Sequence, residues 1–153
     1  MRSESRAGLS PSETRGLRRV VGMMIPASEE FGVPGADDAI IFTDIVRSLG
    51  RDLANVQAAL AVLSALAGGT FAEVDATRAE VAAKEFLARG DATVAALALI
   101  ILQCYYRDDR VLLSLGYEPR PPFPKGYTLE QGDWSLLDAV RGRPQLWRND
   151  RVN

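Results

Sequence analysis

Histidine is absent from these 153 residues, and there is a single cysteine, Cys104. The first absence excludes Ser-His-Asp and Cys-His nucleophile systems and any His-ligated metal or haem. The lone thiol excludes an intrachain disulfide, a cysteine cluster for zinc and a thiolate-held iron–sulfur centre. Cys104 falls inside an apolar helix pattern, so a buried, inert thiol is expected. Long hydrophobic runs are also missing. The longest, Val94 to Leu102, gives way at Gln103 and is too short to span a bilayer. Of the 18 basic residues only Lys84 and Lys125 are lysines, and the net charge is -2. That balance offers no basic stripe for nucleic acid and no pull toward an anionic membrane.

What is there suits an ordinary globular protein. The chain is 47% hydrophobic and 25% charged, enough for one domain with a sizeable core. No cleavable leader is read at the N-terminus. Arg18-Arg19 forms a twin-arginine pair, but Met23, Met24 and Ile25 stop at Pro26 and supply no h-region. A cytoplasmic location follows as an expectation, with export only if another chain carries this one.

The segments divide as a flexible N-terminus (1–8), a helical domain (9–117) and an extended tail (118–153). Ser10-Pro11-Ser12-Glu13 reads as a capping box with Pro at the first helical position, and Leu17, Val20, Val21 and Met24 keep helical spacing to Pro26. Arg15, Arg18 and Arg19 form either an anion-binding strip or a solvated, salt-bridging face. A loop over residues 27–35 precedes a helix opening near Asp37 with Ile40, Ile41, Ile45, Val46 and Leu49 inward, closed by Gly50. Asp37-Asp38 suits the helix dipole rather than a metal, since adjacent carboxylates diverge on a helix.

Arg51 to Ala67 follows as a third helix, striped by Leu53, Val56, Leu60, Leu63 and Leu66. Gly68-Gly69 is a C-cap and not a phosphate loop, because no strand precedes it. Thr70 to Glu73 opens a short turn with Phe71 and Val74 inward. A further helix, capped by Asp75 or Thr77, runs to about Arg89 with Val81, Phe86 and Leu87 as its core. Gly90 ends it and Asp91 caps the central helix, which is apolar on every face and therefore expected to be enclosed. No alternating run of useful length predicts a strand. The expected fold is an all-α, single-domain bundle of about five to six helices.

Beyond Tyr117 the character changes. Pro119, Pro121, Pro122 and Pro124 force an extended path, and one short helix is expected over Trp134 to Val140. Seven of the eleven Phe, Tyr and Trp residues lie from Tyr105 onward. Phe123, Tyr127, Trp134 and Trp147 either fold back onto the domain or face a partner. At the end of the central helix, Asp108 or Asp109 can cap the next short helix, while Arg107 and Arg110 pair with these carboxylates or reach outward. Tyr105 and Tyr106 point about 100° apart, so one is expected to pack inward and the other to face the corner.

In this order the chain resembles the gluconate 2-dehydrogenase subunit 3 family. The resemblance rests on Leu9-Ser10-Pro11-Ser12-Glu13 running into Ile25-Pro26, on Gly32-Val33-Pro34-Gly35-Ala36, and on Phe71. Its most distinctive part is Tyr105-Tyr106-Arg107-Asp108-Asp109-Arg110-Val111, followed by Leu115-Gly116-Tyr117 and Pro121-Pro122-Phe123-Pro124. Residues 9 to 127 are covered loosely.

The resemblance implies a non-catalytic small subunit that stabilises or assembles a large flavoprotein dehydrogenase of the glucose-methanol-choline class. FAD is then expected in that large subunit and no cofactor in this chain; an electron-acceptor subunit is a further implied partner. Family members often carry a twin-arginine leader, a pattern from which this chain departs. Expected partner-binding residues are Tyr105, Tyr106, Arg107, Asp108, Arg110, Tyr117, Phe123, Tyr127, Trp134 and Trp147. Two alternatives stand beside this reading. One is a stand-alone helical interaction or regulatory module, for instance a homodimer through the Ala-rich third and central helices. The other is a small enzyme using acid–base chemistry at Tyr105, Asp108 and Asp109.

Overall fold

A computed structural model describes residues 8–121, 123, 125–126 and 128–144. The chain is all-α and forms two compact units, residues 1–119 and 120–153. The expected flexible N-terminus falls outside the described residues except for Gly8.

The described residues of the first unit form six α-helices, and local capping chemistry sets most of their ends. Helix α1 (Pro11–Met24) opens with a complete capping box. Glu13 N–H donates to Ser10 Oγ at 3.2 Å, and Ser10 N–H donates to Glu13 Oε2 at 2.7 Å. Helix α2 (Ala39–Ser48) is capped by Asp38, whose Oδ1 accepts from Ile40 N–H at 3.0 Å and from Ile41 N–H at 3.4 Å. A 3-10 turn over Gly50–Asp52 leads into α3 (Leu53–Ala67), so the third helix begins later than Arg51. Left-handed Gly68 closes α3, and left-handed Gly90 closes α4 (Ala76–Arg89). Asp75, not Thr77, caps α4. Asp91 caps α5 (Ala92–Tyr105) and Asp108 caps α6 (Asp109–Ser114).

Helix α3 is the hub, packing on α4, α5 and α1, while α5 also packs on α2. The core joins Leu17 and Val21 of α1, Ile41 and Ile45 of α2, Val56 and Leu63 of α3, and Leu97 and Ile101 of α5, all at most 3% exposed. Phe71 fills the turn between α3 and α4 at 1% exposure.

Three core expectations are corrected. Of the three residues expected inward in α4 only Phe86 is buried; Val81 is 51% and Leu87 69% exposed, and Ala79 and Ala82 take the inward positions. Small side chains let α4 approach α3 closely, which turns the larger aliphatics outward. In α2, Ile40 is 67% exposed and Phe42 is buried instead. Helix α5 is not enclosed. Leu99 is 57% and Leu102 37% exposed, so uniform apolarity here marks a helix with one uncovered face rather than one surrounded by neighbours.

The arginines of α1 act within the unit. Arg19 donates to the carbonyls of Phe71, Val74 and Asp75. Arg18 donates to Asp37 O at 3.2 Å and stacks over Phe42, and Arg15 pairs with Glu73 at 3.2 Å. No helix among the described residues is long and apolar enough to cross a membrane.

Among its described residues the second unit is irregular apart from a 3-10 turn over Trp134–Leu137 continuing into α7 (Asp138–Arg141). Asp133 caps that turn through Ser135 N–H at 3.0 Å. No described residue between 128 and 144 is buried.

Candidate functional site

The corner after α5 gathers most of the residues singled out from sequence. Tyr105 is 5% exposed, and its phenol donates to the Pro34 carbonyl at 3.1 Å. Its ring meets that of Tyr106 edge-on at 5.3 Å between centroids. Tyr106 is 51% exposed, so the two tyrosines divide between inside and outside as their spacing requires. Tyr105 is therefore corrected as a partner-binding residue. Its burial and its bond to Pro34 leave it no face to offer.

Arg107 does not pair with Asp108 or Asp109. Its Nε donates to Asp44 Oδ2 at 2.6 Å, its Nη2 donates to Ser48 Oγ, and Nη2 lies 3.5 Å from Cys104 Sγ. Asp44 and Ser48 sit four residues apart on α2 and so share one face. Burial pushes the Cys104 thiol above its ordinary range, consistent with an inert core thiol.

Arg110 has two carboxylate partners. Its Nη2 donates to Asp38 Oδ1 at 2.7 Å and to Asp108 Oδ2 at 2.9 Å, and its Nε donates to Asp108 Oδ1 at 2.9 Å. One guanidinium thus joins the N-cap residues of α2 and α6. The Arg110 hydrogen bonds hold both carboxyls below their usual range, and the carboxylates in turn raise the guanidinium. Asp109 occupies the first turn of α6, exposed and without a capping role.

Together these contacts make a clamp. Tyr105 holds the loop ahead of α2, Arg107 holds the α2 body, and Arg110 holds its first turn. A shallow depression of about 520 Å³ lies over the clamp, lined in part by Ile40, Asp44, Arg107 and Arg110. Its chemistry is that of a structural tie. Asp108 is kept ionised and doubly occupied, while burial raises the Tyr105 phenol, whose O–H donates to the Pro34 carbonyl. A general acid or base instead needs a pKa near the working pH and a free position toward substrate. No group of three or more metal-binding side chains occurs among the described residues.

Tyr117 follows the C-cap of α6. Left-handed Gly116 (φ 79°) donates to Leu113 O, and Tyr117 N–H donates to Leu112 O, which completes a Schellman motif. The Tyr117 ring is 65% exposed.

In the second unit Arg120 donates to Gly126 O at 2.8 Å and closes the loop that carries Phe123, which is 83% exposed. Trp134 is exposed, with its indole N–H directed at Gln131 Oε1. Tyr127 and Trp147 lie outside the described residues, as do Pro122 and Pro124.

Sequence reasoning missed the clamp partners Asp44 and Ser48. Their shared face on α2 was a readable signal, but nothing local pointed that face at Arg107. No protein-family model matches the chain, and no similar curated protein or solved structure is found.

Proposed function

We propose that this chain is a non-catalytic subunit that stabilises or assembles a large FAD-dependent sugar or alcohol dehydrogenase of the glucose-methanol-choline type. The observation that carries this reading is the second unit. It presents Phe123, Leu129, Trp134, Leu136, Leu137 and Val140 to solvent, and none of its described residues from 128 to 144 is buried. Such a segment cannot offset its own ordering entropy, and a partner surface supplies the missing burial. The resemblance of Tyr105 to Val111 and of the Pro-rich stretch to the small-subunit family names the class of partner. The flavin, the substrate pocket and the route to an electron acceptor then belong to other subunits.

The test is a pull-down of tagged full-length protein from its native cells, with an absorption spectrum of the eluate. A stoichiometric large partner carrying the bands of oxidised flavin supports the proposal. A colourless protein eluting alone refutes it.

A second reading, a stand-alone helical module that self-associates, draws on one feature. Ala92, Ala95, Leu99, Leu102 and Tyr106 recur at spacings of three and four along the uncovered side of α5. A stable homodimer that ignores any flavoprotein would favour it.

A further inference from the structure

The loop between α1 and α2 is built more firmly than a connection requires. Ser28 and Val33 exchange both backbone hydrogen bonds at 3.0 Å, forming an isolated antiparallel bridge. Gly32, left-handed at φ 62°, donates to Glu29 O at 3.2 Å, and Phe31 N–H donates to Ser28 Oγ at 3.3 Å. The foot is also fixed. Ala36 N–H donates to Ile25 O at 2.9 Å, and the Tyr105 phenol holds Pro34 O.

At the tip of this small hairpin stands Phe31, 68% exposed. Glu29 and Glu30 precede it, both exposed and neither in an ion pair among the described residues. Turn formation does not call for phenylalanine here; Asn, Asp or Ser would serve a polar tip better. An aromatic ring held out on an already ordered backbone loses little further entropy on contact, which is the setting of an interface hot spot. Two adjacent unpaired carboxylates make the tip complementary to a cationic surface.

We infer that residues 27–36 form a docking finger for a protein partner, with Phe31 entering an apolar pocket and Glu29 and Glu30 meeting Arg or Lys on its rim. The partner is defined by that chemistry, independently of whether it carries flavin. The chain's own apolar groove between α1, α4 and α5 fits less well, because Glu80 accompanies Lys84 on its wall.

The experiment places a photo-crosslinking benzoylphenylalanine at position 31 of the full-length chain in native cells, with position 85 on exposed α4 as the control. The expected result is one major adduct to a different protein, with the crosslinked peptide beside Arg or Lys. Its yield should fall about tenfold in Glu29→Lys/Glu30→Lys, with the thermal melt unchanged. No adduct above the control, an adduct indifferent to charge reversal, or a covalent homodimer would overturn the inference. An adduct to a protein without flavin keeps the finger and removes the flavoprotein reading. A flavoprotein that co-purifies yet never crosslinks to position 31 removes the finger alone.

Discussion

Arg110 bonds Asp38 across 72 residues of sequence at 2.7 Å while also bonding Asp108 two positions away. Both acids are helix N-caps, so one side chain fixes how the start of α6 meets the start of α2. Asp108→Ala removes the cap and one arm of the tie, and should cost about 1–2 kcal/mol in urea unfolding. Asp108→Asn keeps the cap and should cost less. Equal midpoints for wild type and Asp108→Ala would show that the tie carries no stability.

The same tie sets an acid limit. The folded-state pKa values of Asp38 and Asp108 lie below the ordinary 3.8. The unfolded chain therefore binds protons first as pH falls, and unfolding is favoured. The stabilisation is complete above about pH 5 and is lost as pH drops through the folded-state values. Unfolding free energy followed from pH 6 to pH 2 should decline less steeply in Asp38→Asn/Asp108→Asn than in wild type. Parallel curves would count against the account.

Tyr105→Phe deletes one hydroxyl and leaves the Pro34 carbonyl without that donor, a loss of about 1 kcal/mol. Tyr106→Ala, at a half-exposed ring, should change stability by less than about 0.5–1 kcal/mol. Thermal melts of the two variants separate the inward tyrosine from the outward one. If both variants melt alike, the division of roles is wrong.

Gly35 and Gly32 offer a contrast within one loop. A Cβ at Gly35 would stand 2.5 Å from Asp37 Oδ1 and 2.9 Å from the Ala27 nitrogen, so Gly35→Ala must move backbone. A loss of about 1–3 kcal/mol is expected from overpacking. Gly32→Ala meets nothing within 4 Å and bears only the left-handed conformation, about 1 kcal/mol. Denaturant midpoints in the reverse order would contradict the geometry.

Helix ends were legible because caps are local. Ser10, Asp91, Gly68 and Gly90 announce themselves within four residues of the boundary they set. The buried face of α4 was not, because Val81 and Leu87 outrank alanine in apolarity, whereas Ala79 and Ala82 win by permitting close approach. Phe86→Ala should therefore cost about 3–5 kcal/mol, and Leu87→Ala no more than about 0.5, in the same unfolding assay. The clamp was half legible. Asp108 as a cap and the opposed tyrosines follow from helical geometry, but the pairing of Arg107 with Asp44 spans 63 residues and depends on how α5 crosses α2. Tertiary packing decides such pairs, and a single sequence does not disclose it.

Arg19 reaches the carbonyls of residues 71, 74 and 75, and Arg15 reaches Glu73. During synthesis α1 thus leaves the ribosome more than fifty residues ahead of the segment that its arginines bond. Its apolar side, Leu17, Val20 and Val21, has no complete berth until more than fifty further residues have emerged. For a chain growing at about 5–20 residues per second that wait lasts several seconds. The early helix therefore passes through a window in which a chaperone or another nascent chain can reach it first.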